Sequence, residues 1–156
     1  MLPRMIAEAI SAPVSVMTED AIVRLVNEFY KRVRRDPALG PVFERAIPTD
    51  AWPAHLEKMY AFWSSVMLTS GRYKGNPVAV HQRVTGIESP LFSRWLDLFE
   101  ATAHSLFVPE TAEVFVLKAR RIAESLKLAL FFRADAPWPD DLRKRPSGVA
   151  ARAAGP

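Results

Sequence analysis

Apolar residues recur every three or four positions through five separate stretches of this chain, and no stretch alternates as a strand would. That periodicity predicts an all-α fold. The first helix begins after Thr18, a natural N-cap, with Glu19 and Asp20 in its opening turn. Ile22, Leu25, Val26, Phe29, Tyr30 and Val33 form its stripe, and Asp36-Pro37 stops it. A loop, "ALGPVF", then delivers Phe43. A second helix starts near Asp50 with the stripe Trp52, His55, Leu56, Met59, Phe62, Trp63, Val66 and Met67, and ends at Ser70-Gly71, where Gly71 suits a left-handed cap.

Asn76-Pro77 opens a short third helix that runs to about Thr85 and is broken by Gly86. Ser89-Pro90 opens a fourth, carrying Leu91, Phe92, Trp95, Leu96, Phe99, Thr102 and Leu106. A fifth covers about 110 to 133, with Ala112, Phe115, Val116, Ala119, Ile122, Ala123, Leu126 and Leu130. The expected organisation is an N-terminal arm over 1–17, one helical domain over 18–135, and a disordered Pro-, Ala- and Arg-rich tail over 136–156.

Composition narrows the function classes. A chain of 156 residues with 49% hydrophobic residues can enclose one sizeable core. The net charge is only +4, and half of it lies in the tail, which counts Arg143, Lys144, Arg145 and Arg152 against Asp140 and Asp141. Nucleic-acid binding needs a denser basic face, so no nucleic-acid partner is expected. The chain has no cysteine, which excludes disulfides, thiolate zinc sites, iron–sulfur clusters, thiolate nucleophiles and thioether-linked haem. No apolar run approaches the roughly 18 residues of a membrane span, and Glu8 interrupts any signal-like core in "MLPRMIAEAISAPVSVM". The expectation is a cytoplasmic protein with a loose or partly helical arm.

Only three histidines are present. On the helical wheel His55 lies beside Met59, Phe62 and Val66, in the middle of an apolar stripe. A buried imidazole needs a hydrogen-bond partner or a metal. It is either a core histidine satisfied by a backbone carbonyl or part of a site. His81 lies between Val80 and Val84 on the short helix, as a capping imidazole or a metal ligand. His104 falls opposite Trp95 and should face solvent with no role. Around His55 and His81 the same elements hold Phe43, Phe62, Trp63, Tyr73, Phe92, Trp95 and Phe99. A zinc site would bring more nitrogen or oxygen ligands. Apolar, aromatic surroundings with an imidazole suit a flat cofactor whose iron is held by one histidine. An ordinary aromatic core remains the alternative.

Four blocks, in this order, carry a resemblance: "FYKRVRRDPALGPVF", "WPAHLEKMYAFWSSVML", "GRYKGNPVAVHQRV" and "PLFSRWLDLFEAT". Over about 18–135 the chain resembles a group III truncated haemoglobin. The resemblance implies a two-over-two helical sandwich around haem b. It implies that His81, in "YKGNPxxxH", is the proximal iron ligand. Tyr30, His55 and Trp95 would then be the distal residues that stabilise a ligand, with Phe43, Met59, Phe62, Tyr73, Phe92 and Trp95 against the haem. The Gly-Gly pairs of other truncated-globin groups are absent, as in group III.

The implied ligands are oxygen, carbon monoxide and nitric oxide. Several distal donors slow oxygen release, so redox work on nitric oxide or peroxide, fed by an unknown reductase, is expected over bulk transport. Two rivals carry distinct signatures. A haem-free helical interaction module would be colourless, and a dedicated peroxidase would turn over peroxide well above free haem.

Overall fold

The computed structural model describes residues 13–84 and 86–131. Among these residues there are six α-helices: α1 (Glu19–Arg35), α2 (Leu39–Ala46), α3 (Trp52–Leu68), α4 (Pro77–Gln82), α5 (Ser89–Leu106) and α6 (Pro109–Phe131). A 3₁₀ turn, Thr49–Ala51, leads into α3. The expected disordered tail, including Trp138, lies outside the described residues.

The start of α1 forms as its sequence dictates. Thr18 Oγ1 accepts from the Ala21 N–H at 3.1 Å, while Glu19 and Asp20 complement the helix dipole. At α4, Asn76 Oδ1 accepts from the Ala79 N–H at 3.2 Å, and Pro77 takes the first helical position.

Two local expectations are corrected. The segment expected as a loop, "ALGPVF", is the start of α2. Gly40 and Pro41 suggest a break, but Pro41 falls in the first turn, where its missing N–H costs nothing. Gly40 suits this close approach, since a Cβ there would sit 3.0 Å from the Arg34 carbonyl oxygen and crowd it. The cap comes from Asp36, whose Oδ2 accepts from Ala38 N–H (3.0 Å) and Leu39 N–H (2.9 Å). The left-handed residue ending α3 is Thr69 (φ 53°), not Gly71, although Gly71 also has positive φ in the loop beyond.

Helices α1 and α3 pack as one pair and α5 and α6 as the other, with α1 lying against α5. This is the two-over-two sandwich. Its core is built on Ile22, Leu25, Phe29, Val33, Phe99, Phe107 and Phe115. Ring contacts run through it, including Trp63 stacked on Phe99 at 5.0 Å and Phe107 on Phe115 at 5.1 Å. Val14 of the N-terminal arm is not loose. Its N–H donates to Leu106 O and its carbonyl accepts from Val108 N–H, and Val14 and Met17 both pack on the core.

Asp36 also links the two layers. It is buried, and its Oδ1 accepts from Arg94 Nε at 2.8 Å and again from the same guanidinium's terminal nitrogen. One residue thus ends α1 through its backbone N–H, which donates to Val33 O, while its carboxylate starts α2 and ties it to α5. Arg94, more than the backbone donors, holds the carboxyl below its ordinary pKa.

Candidate functional site

A cavity of about 290 Å³ lies between the layers, lined by side chains of all six helices and of the loop that joins α3 to α4. Tyr30, Phe43, His55, Met59, Phe62, Tyr73, His81, Phe92 and Trp95 all line it, as does Trp63. Phe99, grouped with them in the sequence, does not and is buried in the core instead. The cavity also takes in Leu39, Val42, Ile47, Lys58, Val84, Ile122 and Leu126. These were legible only as stripe members or not at all.

Local structure explains how the side chains get there. Tyr30 is on the buried stripe of α1 and meets His55 edge to face, with ring centroids 5.2 Å apart. Phe43 reaches the cavity because α2 follows Asp36 directly. Trp95 is held between Phe29, edge-on at 5.4 Å, and Phe99, stacked at 5.4 Å. Phe62 meets Tyr73 edge to face at 5.2 Å, and the Tyr73 N–H donates to Ser65 Oγ at 2.9 Å. Gly75 leaves room for the Tyr73 ring, since a Cβ there would fall 2.4 Å from the phenol oxygen.

The two histidines differ in how they are held. His81 Nδ1 lies 2.6 Å from the Pro77 carbonyl oxygen, one turn back on α4. A carbonyl only accepts, so the proton is on Nδ1. In the neutral imidazole the Nε2 lone pair is therefore left for another partner. His55 is not the carbonyl-satisfied core histidine of the plain reading. Its Nε2 is buried and has no hydrogen-bond partner. Burial pushes its pKa down to about 4, with smaller contributions from the charges of Lys58 and His81. His55 is therefore neutral at physiological pH. Burial also pushes the Tyr30 phenol well above its ordinary pKa, so the hydroxyl keeps its proton.

This donor set fits a haem. The cavity walls are mostly apolar, one imidazole presents an oriented lone pair, no thiolate competes, and an unpartnered buried imidazole nitrogen borders the same space. His104 is exposed, as expected, and its Nε2 lies 2.9 Å from Glu113 Oε1. No helix among the described residues is long and apolar enough to cross a membrane.

The likenesses agree with this geometry. Residues 15–124 match the model of the bacterial-like globin family. The chain is 32% identical over 117 residues to the group 3 truncated haemoglobin of Campylobacter jejuni, covering 74% of this chain and 92% of that protein. The crystal structure of the group III truncated haemoglobin from Campylobacter jejuni superposes with a TM-score of 0.73 at 30% identity, covering 77% of this chain and 96% of that one. The chain belongs to the bacterial-like globin family, as a group III truncated haemoglobin. Globin membership implies haem binding and diatomic ligands, and it leaves the haem-free interaction module without support.

Proposed function

We propose that the cavity holds haem b through His81 Nε2, and that the chain uses it for redox chemistry on nitric oxide or peroxide rather than for bulk oxygen transport. The observation that carries this reading is the state of His81. It lines an apolar cavity with its Nδ1 proton committed to Pro77 O, which fixes the ring and leaves the lone pair on Nε2. Haem iron supplies a one-electron centre that binds oxygen, carbon monoxide and nitric oxide.

The chain's own groups set what happens to a ligand. Tyr30 stays protonated and donates, and Trp95 Nε1–H can only donate. Neutral His55 brings one donor and one acceptor, with Nε2 still unpartnered. Donors converging on one small cavity stabilise negative charge on a bound diatomic in a medium that screens poorly. They slow its release, which suits turnover better than transport. Phe43, Met59, Phe62, Tyr73 and Phe92 exclude water around it. Turnover draws its electrons from a reductase partner.

Stopped-flow displacement of oxygen from the ferrous protein tests the distal assignment. A hydrogen bond to a charged acceptor is worth roughly 1.5–3 kcal/mol. Trp95→Phe and Tyr30→Phe should therefore each speed oxygen release about ten- to a hundredfold, with far less effect on carbon monoxide. Wild-type release from both variants would remove these donors from the proposal.

A further inference from the structure

A second concavity backs onto the cavity through Tyr30, which lines both. Its other walls are Asn27, Lys31, Arg34, Arg35, Trp52 and Leu56, from the last turns of α1 and the first turns of α3. Three of these seven side chains are cations, and no acid is among them. The carboxylate paired with Arg34 is Glu44, at a loose 3.8 Å with both side chains well exposed. The Arg34 guanidinium lies 4.5 Å above the Trp52 ring. Trp52 itself is only 3% exposed, and its indole Nε1–H has no acceptor among its neighbours. A buried donor without an acceptor is costly, and the residue that carries it lines a basic cleft. The dipole of α1 favours cations at this end, but it does not explain an aromatic wall with an unused donor beneath them.

We infer that this cleft is a binding site for a small organic carboxylate, separate from the haem cavity, with Lys31, Arg34 and Arg35 taking the charge and Trp52 and Leu56 taking the apolar body. Guanidinium forks match a planar carboxylate, and an aromatic wall suits a flat or aliphatic remainder. A carboxylate seated in the plane of the Trp52 ring, beside Arg34, would give the indole N–H the acceptor it lacks. The cleft does not depend on the haem reading, so either proposal can fail alone.

Benzoate is the probe, with benzyl alcohol as its uncharged counterpart. The readout is the proton–nitrogen correlation spectrum of the full chain as purified, reduced under carbon monoxide so that any haem is diamagnetic. The Trp52 indole signal is identified by its loss in Trp52→Phe. Benzoate should shift that signal saturably, with a dissociation constant in the millimolar range or tighter, and benzyl alcohol should not. Arg34→Ala and Arg35→Ala should each weaken benzoate about tenfold, the effect of losing one charge-assisted contact. Lys31→Glu, which keeps the fold's apolar contacts, should abolish the shift. An indole signal that does not saturate, or benzoate affinity unchanged in the charge variants, overturns the proposal. So does benzoate moving the Soret band while leaving the indole signal in place, since that puts the anion in the cavity.

Discussion

Two regions of this molecule both gather apolar side chains and differ in what those side chains meet. Where α1, α5 and α6 cross, Phe29, Phe99, Phe107 and Phe115 are each no more than 2% exposed, packed against one another and against aliphatic neighbours. On the cavity side, α4 buries none of its six residues, although it reads Pro-Val-Ala-Val-His-Gln. Helix α3 buries only Trp52, Trp63 and Ser64 of its seventeen. Of the rest of its stripe, His55, Met59 and Phe62 are half-buried and line the cavity, while Leu56, Val66 and Met67 pack on the core. Periodicity alone does not separate side chains that pack from side chains that line. The difference is whether the facing helix is close enough to fill the space, and here it is not. The leftover apolar surface is what a bound cofactor covers.

The largest effect should come from a substitution on the packed side. Phe99→Ala should cost about 3–5 kcal/mol of unfolding free energy, because the removed ring leaves a hole between Phe29, Trp63 and Trp95. Phe62→Ala, on the lining side, should cost clearly less in haem-free protein and should act mainly on cofactor retention. Chemical denaturation of both variants, with and without haem, checks this. Equal costs in the haem-free state would erase the distinction between the halves.

The tie between the layers comes next. Asp36→Asn removes the charge held by Arg94 but keeps an oxygen for the cap of α2, so a loss of about 1–3 kcal/mol is expected. The folded pKa of Asp36 is depressed. Its contribution is therefore present above the ordinary carboxylate pKa and is lost as pH falls through the folded value. Thermal melts of wild type and variant should converge in acid. A gap that persists unchanged there would mean that the carboxylate charge is not what joins α1 and α2 to α5.

His55 should give the smallest effect. Its folded pKa, about 4, lies below the ordinary histidine value, so the fold prefers the neutral ring. That preference stabilises fully above about pH 6.5 and is lost as pH falls from there towards 4. His55→Gln should flatten this part of the melting profile of the haem-free protein. An identical acid slope in wild type and variant would place the His55 ring in contact with water.

How much was legible follows the same division. Caps and stripes are local, so Thr18, Asn76 and the apolar spacing place five helices from sequence alone. Helix α2 was missed because its cap, Asp36, stands outside it and its first turn carries Gly40 and Pro41, both of which read as breakers. The Asp36–Arg94 pair spans 58 positions, and only tertiary packing brings it together. The cavity residues were legible through motif resemblance and through the density of aromatics around two histidines. Trp52 was legible only as a stripe member. That it faces a basic cleft under Arg34 depends on where α1 ends relative to α3, which no spacing in the sequence encodes.

The central claim is that His81 holds a haem in the lined half. The most direct measurement is the haem-to-protein ratio and Soret spectrum of His81→Gly, purified alongside wild type and then titrated with imidazole. Wild type should carry one haem per chain. The variant should carry almost none, because no cysteine exists and His55 is the only other histidine on the cavity. It should also melt at the temperature of haem-stripped wild type, since ligand stabilisation is lost with the ligand. Free imidazole entering the vacated space should restore part of the bound spectrum. Full haem content in His81→Gly, with a Soret band like that of wild type and indifferent to imidazole, would contradict the assignment.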